Sequence, residues 1–109
     1  VVLSFLLLPL LALASLPLAS KVFAASIAVT TTADTIDAGT CATVTLASLP
    51  GPDGQTSLRE ALCVAQNNAG PDSITFSVNG TFAITLTPGT GEDNGATGDF
   101  DIRSDVTIT

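Results

Sequence analysis

Thr56-Ser57-Leu58-Arg59-Glu60-Ala61-Leu62-Cys63 gathers an arginine, a carboxylate and a thiol in a chain otherwise rich in Thr, Val, Ile, Gly and Asp. The cluster can be read as catalytic or as the start of a capped helix tied down by a disulfide. Ser57 followed three residues later by Glu60 is a capping box: the hydroxyl takes the Glu60 amide and the carboxylate reaches back to the Ser57 amide. Leu58 to Leu62 are good helix formers. Leu58, Ala61, Leu62 and Ala65 recur at i, i+3, i+4 and i+7 and predict a buried stripe. Gln66, Asn67 and Asn68 end the helix, and Gly70-Pro71 forbids its continuation. The expected helix has about three turns.

Around this helix the chain reads as strand. Ser26 to Ala33 is rich in β-branched residues and alternates Ile27 and Val29. Thr43 to Leu46 is a short β-prone piece, and Pro50-Gly51-Pro52-Asp53-Gly54 is a firm turn. Beyond the helix, Ser73 to Val78 alternates Ile74, Phe76 and Val78. Thr81 to Thr87 alternates Phe82, Ile84 and Leu86. After a loop over 88–98, Phe100, Ile102, Val106 and Ile108 form two further short alternating pieces. Asn79-Gly80 reads either as a hairpin turn or as a corner between coils of a β-solenoid. The pattern predicts a mainly β fold with one short α-helix.

Residues 1–25 read as a secretory signal peptide. An apolar run broken by Pro9 and Pro17 leads to the small-x-small pair Val22 and Ala24, with cleavage after Ala24 or Ala25. A membrane anchor is the alternative for that stretch. About 85 residues then remain to fold, a size at which a core is marginal without help. In an exported chain, Cys41 and Cys63 are expected to form a disulfide, contributing about 3 kcal/mol in the chain-entropy picture. A catalytic thiol needs an activating base such as histidine, and the chain has none.

The chain carries a formal charge of −7, with three basic residues against ten carboxylates. The footprint of nucleic-acid binding is absent. Glu92, Asp93, Asp99 and Asp101 are candidate calcium ligands, although they match no EF-hand or glycine-rich calcium repeat. Asp99 and Asp101, two apart on one face of an expected strand, are also the carboxylate pair that glycoside chemistry uses, with Arg103 the nearby basic residue.

Ser57-Leu58-Arg59-Glu60-Ala61 resembles the core of the CSLREA domain. The stretches Ile27–Asp34, Asn67–Phe76 and Gly98-Asp99-Phe100-Asp101-Ile102 resemble that family's flanking motifs in the expected order. Thr56 stands where the family's named cysteine would be. The resemblance implies the amino-terminal cap and first coils of a right-handed parallel β-helix of the pectin-lyase-like class. It also implies an exported bacterial protein, secreted or at the cell surface. Residues 26–109 are then expected to be such a segment, truncated at its C-terminal end, with no catalytic residues or cofactor of its own. Leu58, Ala61, Leu62 and Ala65 are expected to cover the first coil, with Arg59 and Glu60 at the rim. Its expected partners are downstream coils of the same chain and carbohydrate or cell-surface ligands, with no nucleic acid, and no membrane after signal cleavage. A lyase or hydrolase with its site farther downstream and a calcium-stabilised adhesion module are the alternatives.

Overall fold

The computed structural model describes residues 23–109, so the expected leader lies outside the described residues up to position 22. Three strands and one α-helix organise the described residues: β1 is Ser26–Val29, α1 is Leu58–Asn67, β2 is Asp72–Phe76 and β3 is Val106–Ile108. The strands form one parallel sheet in the order β1-β2-β3. No helix among the described residues is long and apolar enough to cross a membrane.

The register is set by alternating apolar residues. Ile27 pairs with Ile74, and Ile74 with Ile108, so three isoleucines stand in one column across the sheet. Ser26, Ser73 and Thr107 form the neighbouring column, which points the other way because side chains alternate along a strand. Ile27 and Ile74 are buried, at 1% and 0% exposure, whereas Ile108 is 42% exposed. Sheet bonding begins one residue before β1, where the Ser73 amide donates to the Ala25 carbonyl at 2.9 Å.

The helix packs against β1 and β2. Ala61, Leu62, Val64 and Ala65 join Ile27, Val29, Val44 and Ile74 in a single core, with Leu58 partly buried against it. Burial extends beyond the expected stripe: every residue from Arg59 to Ala65 is buried. Loops from both sides of the sequence close over the face that an amphipathic surface helix would show to water.

Several expected strands are not strands. Thr43 to Leu46 lies in turns and leads into a 3-10 turn at Leu46–Ser48. There the Thr43 and Val44 amides fold back on the Thr40 carbonyl, next to the disulfide-held Cys41. Thr81 to Thr87 is irregular, because its Thr85 and Leu86 amides donate to the Asp34 carboxylate and not to a neighbouring strand. The Phe100 and Ile102 stretch is likewise irregular, and Ile102 is 58% exposed. Because 81–87 is not a strand, Asn79-Gly80 does not close a hairpin between it and β2. The described residues are therefore mixed α/β, with less strand than the alternating pattern predicts.

Candidate functional site: a buried hub at the start of the helix

The capping box forms as the spacing predicts. Ser57 Oγ accepts the Glu60 amide at 3.0 Å, and Glu60 Oε2 accepts the Ser57 amide at 3.0 Å. Two of the unsatisfied amides of a helix start are thereby paired. The same two side chains also reach outward. Ser57 Oγ donates to the Thr35 carbonyl at 2.6 Å, and Glu60 Oε1 accepts the Asp37 and Ala38 amides at 2.8 and 3.1 Å. Ser57 and Glu60 thus cap the helix and hold the 35–38 loop against it.

Arg59 is not at the rim. It is 1% exposed, and all five of its N–H donors are used. Nε donates to Asp34 Oδ1 at 2.5 Å and Nη2 to Asp34 Oδ2 at 3.1 Å, a two-pronged ion pair. Nη1 donates to the carbonyls of Gly95 and Asp99 at 2.8 and 3.3 Å, and Nη2 also to that of Gly98 at 2.6 Å. The guanidinium carbon lies 4.7 Å from the centre of the Phe100 ring. Glu60 likewise departs from the rim expectation, with 0% exposure. A buried charge is tolerated only when it is paired and its remaining donors are satisfied. Both conditions hold for Arg59.

Asp34 completes the hub. Its Oδ2 also accepts the Thr85 and Leu86 amides at 2.8 and 3.0 Å. Burial alone pushes the Asp34 carboxyl up, but the Arg59 hydrogen bonds, the Leu86 and Thr85 amides and the arginine's charge outweigh it and hold the carboxyl below its ordinary value. One ion pair therefore ties α1 to the loops over 85–86 and 95–100. Gly98 sits in the left-handed region at φ +70°, and a Cβ there would meet Pro88 Cβ at 3.0 Å. Only glycine delivers that carbonyl to Arg59 without strain.

Cys41 and Cys63 are joined, both buried, with their Cα atoms 4.9 Å apart. The bond anchors the 41–44 turn on α1, and Asn67 Nδ2 reinforces it by donating to the Cys41 and Val44 carbonyls at 2.8 and 2.9 Å.

The four acidic residues singled out as calcium candidates are used separately. Glu92 accepts the Asn94 amide at 2.7 Å and the Ala96 amide at 3.1 Å on Oε1, and the Thr97 amide at 3.2 Å on Oε2. The Asn94 amide foremost, then those of Ala96 and Thr97 and the Thr97 hydroxyl, hold its carboxyl below its ordinary value against a smaller effect of burial. Asp101 Oδ2 accepts the Gly95 amide at 2.8 Å. Asp99 contributes its backbone carbonyl to Arg59, and Asp93 its carbonyl to Arg103 at 3.0 Å. Asp99 and Asp101 do not share a strand face, since 99–103 is irregular. Among the described residues no group of three or more His, Cys, Asp and Glu side chains is placed to hold a metal ion.

The residues that sequence reasoning missed are the partners. Asp34 ends one stretch that carries the resemblance and Phe100 lies in another, but neither reads from the sequence as a partner of Arg59. A capped helix beginning Ser-Leu-Arg-Glu, with its arginine on the core side, calls for a buried carboxylate, but nothing local identifies which. With every N–H of Arg59 and both oxygens of Glu60 engaged, neither is available for acid–base work or for a ligand. No known protein family, no curated protein and no solved structure matches this chain.

Proposed function

We propose that residues 26–109 form the non-enzymatic amino-terminal cap, with the first coils, of an exported parallel β-helix that is secreted or held at the cell surface. The observation that carries this reading is the isoleucine column. Ile27, Ile74 and Ile108 stack in register on parallel strands, and burial is complete at the first two and lost at the third. In-register parallel stacking of like side chains is how solenoid coils build a continuous core from neighbours.

Two further features support it. Three of the four stretches that carry the resemblance, 27–34, 57–61 and 98–102, meet at one point, where Asp34, Arg59 and the Gly98 and Asp99 carbonyls are bonded. The helix packs mainly against β1 and β2. On this reading the capped, disulfide-held helix covers the β1 end of the stack, and β3, last in the sheet order of the described residues, offers its edge to the next coil. An uncovered parallel edge is a template for further strands.

The test compares the segment ending at Thr109 with the natural protein carrying further coils. The segment alone is expected to self-associate or to melt over a broad range, and the longer chain to melt sharply as a monomer. A segment that stays monomeric in sedimentation and melts as sharply as the longer chain is a self-contained domain, and the cap reading fails.

A further inference from the structure

We infer that the mature chain begins at Ala25 and that its new α-ammonium locks onto the buried carboxylate of Asp72. The inference rests on the export reading above and concerns which of two peptide bonds, after Ala24 or after Ala25, is cut. Water added across the Ala24–Ala25 bond by a signal peptidase leaves a carboxylate on Ala24 and an ammonium on Ala25. The cut acts on the unfolded exported chain, so the later burial of Ala25 does not obstruct it.

The surroundings of Ala25 distinguish the two bonds. Ala25 is buried at 6% exposure, whereas Phe23 is 68% exposed and Ala24 is exposed. The Ala25 nitrogen donates to Asp72 Oδ1 at 2.7 Å, and its carbonyl accepts the Ser73 amide at 2.9 Å. A cut after Ala25 removes the nitrogen donor, the buried methyl and the carbonyl that accepts a sheet amide. A cut after Ala24 keeps all three and converts the Ala25 amide into an ammonium at the same place.

Asp72 has hydrogen-bonding capacity left that an ammonium can use. It is 3% exposed, at the start of β2, and its Oδ1 accepts the Ala25 amide and Asn68 Nδ2, each at 2.7 Å. Its Oδ2 is buried and has no hydrogen-bond partner. An amide brings one N–H and no charge to this carboxylate, which leaves a buried anion half-satisfied. An ammonium brings three N–H donors and a compensating charge, the combination that buried carboxylates require. Asn68 Nδ2 also donates to the Phe23 carbonyl at 2.7 Å, a bond that the cut gives up. Its bond to Asp72 remains and orients the carboxylate.

The sequence supplies a clean probe. The chain's basic residues are Lys21, Arg59 and Arg103, so over 25–109 the α-amine is the sole primary amine. The exported natural protein is digested after brief amine acylation, and the amino-terminal peptide is sequenced and its labelling followed by mass spectrometry. The expected result is an amino terminus at Ala25, labelled several-fold more slowly in folded than in urea-unfolded protein. Asp72→Asn is expected to remove most of that protection while the mature terminus stays at Ala25. A terminus at Ser26, or an unprocessed chain, overturns the assignment. A terminus at Ala25 that labels equally fast folded and unfolded overturns the lock. Should Asp72→Asn fail to fold, the folded-to-unfolded ratio of the natural protein still decides. None of these readouts depends on coil stacking beyond β3, so failure of the cap reading is separable from failure of this one.

Discussion

Ile74 and Ile108 are the same residue, paired in register on adjacent parallel strands, yet one is fully buried and the other 42% exposed. The difference belongs to the two ends of the molecule. At the β1 end, helix, disulfide and the Arg59–Asp34 pair converge, and polar groups are engaged almost to completion. At the β3 end, Ile108 is exposed and β3 stands last in the sheet among the described residues. What separates the ends is therefore not local sequence preference, since both are built from alternating β-branched residues. It is the density of long-range polar ties that hold loops over the core.

The largest expected effect comes from cutting the strongest of those ties. Arg59→Met keeps the volume but leaves Asp34 buried without its partner, which costs about 3–5 kcal/mol for a buried pair. Urea denaturation reads this as a lowered midpoint. Arg103→Ala at the exposed loop is expected to change stability by no more than about 0.5 kcal/mol. Equal losses from the two arginines would erase the distinction between the ends. Acid sharpens the same point. The folded Asp34 carboxyl is held below its unfolded value, so its stabilisation is fully present above the ordinary carboxylate range and is lost as pH falls through the lowered folded value. Stability of the natural chain is expected to fall below about pH 4, and Asp34→Asn, already destabilised at neutral pH, to show a flatter acid limb. An unchanged acid limb in Asp34→Asn would remove Asp34 from the account.

Next in size is the disulfide. Replacing Cys41 and Cys63 by serine is expected to cost about 3 kcal/mol through the unfolded chain's regained freedom. The effect is checked by comparing thermal melts with those of the chemically reduced natural chain. A smaller loss follows Ser57→Ala, about 1 kcal/mol for a helix cap. Both changes act at the β1 end. A denaturation midpoint that Ser57→Ala leaves unmoved would show that the cap is redundant with the hub beside it.

These ties also explain what the sequence discloses and what it hides. The capping box was legible because it joins residues three apart, and the disulfide because two cysteines have one way to pair. The three strands were legible from alternation at Ile27, Ile74 and Ile108. Thr81 to Thr87 carries the same alternation at Phe82, Ile84 and Leu86, yet its amides are taken by Asp34, some fifty positions earlier. The burial of Arg59 was hidden for the same reason. Its partner lies 25 residues away, and no short-range pattern marks Asp34 among ten carboxylates. Periodicity reports which side chains want a core. It does not report which carboxylate will capture a loop before a neighbouring strand does.

The column itself pairs a large expected effect with a small one. Ile74→Ala empties a fully buried site and is expected to cost about 2–5 kcal/mol, the range for such truncations. Ile108→Ala in the segment ending at Thr109 removes a side chain that already meets water, so its expected cost is under about 1 kcal/mol. The two substitutions are chemically identical and occupy paired positions, so any difference reports the environment alone. In a chain whose next coil covers β3, Ile108 becomes an interior residue and its truncation should approach the cost at Ile74. Measuring both substitutions in both lengths forms a cycle in which only the covering of β3 varies. A small cost for Ile108→Ala that stays small in the longer chain would mean that nothing stacks on β3, and that the exposed end of the sheet is simply its edge.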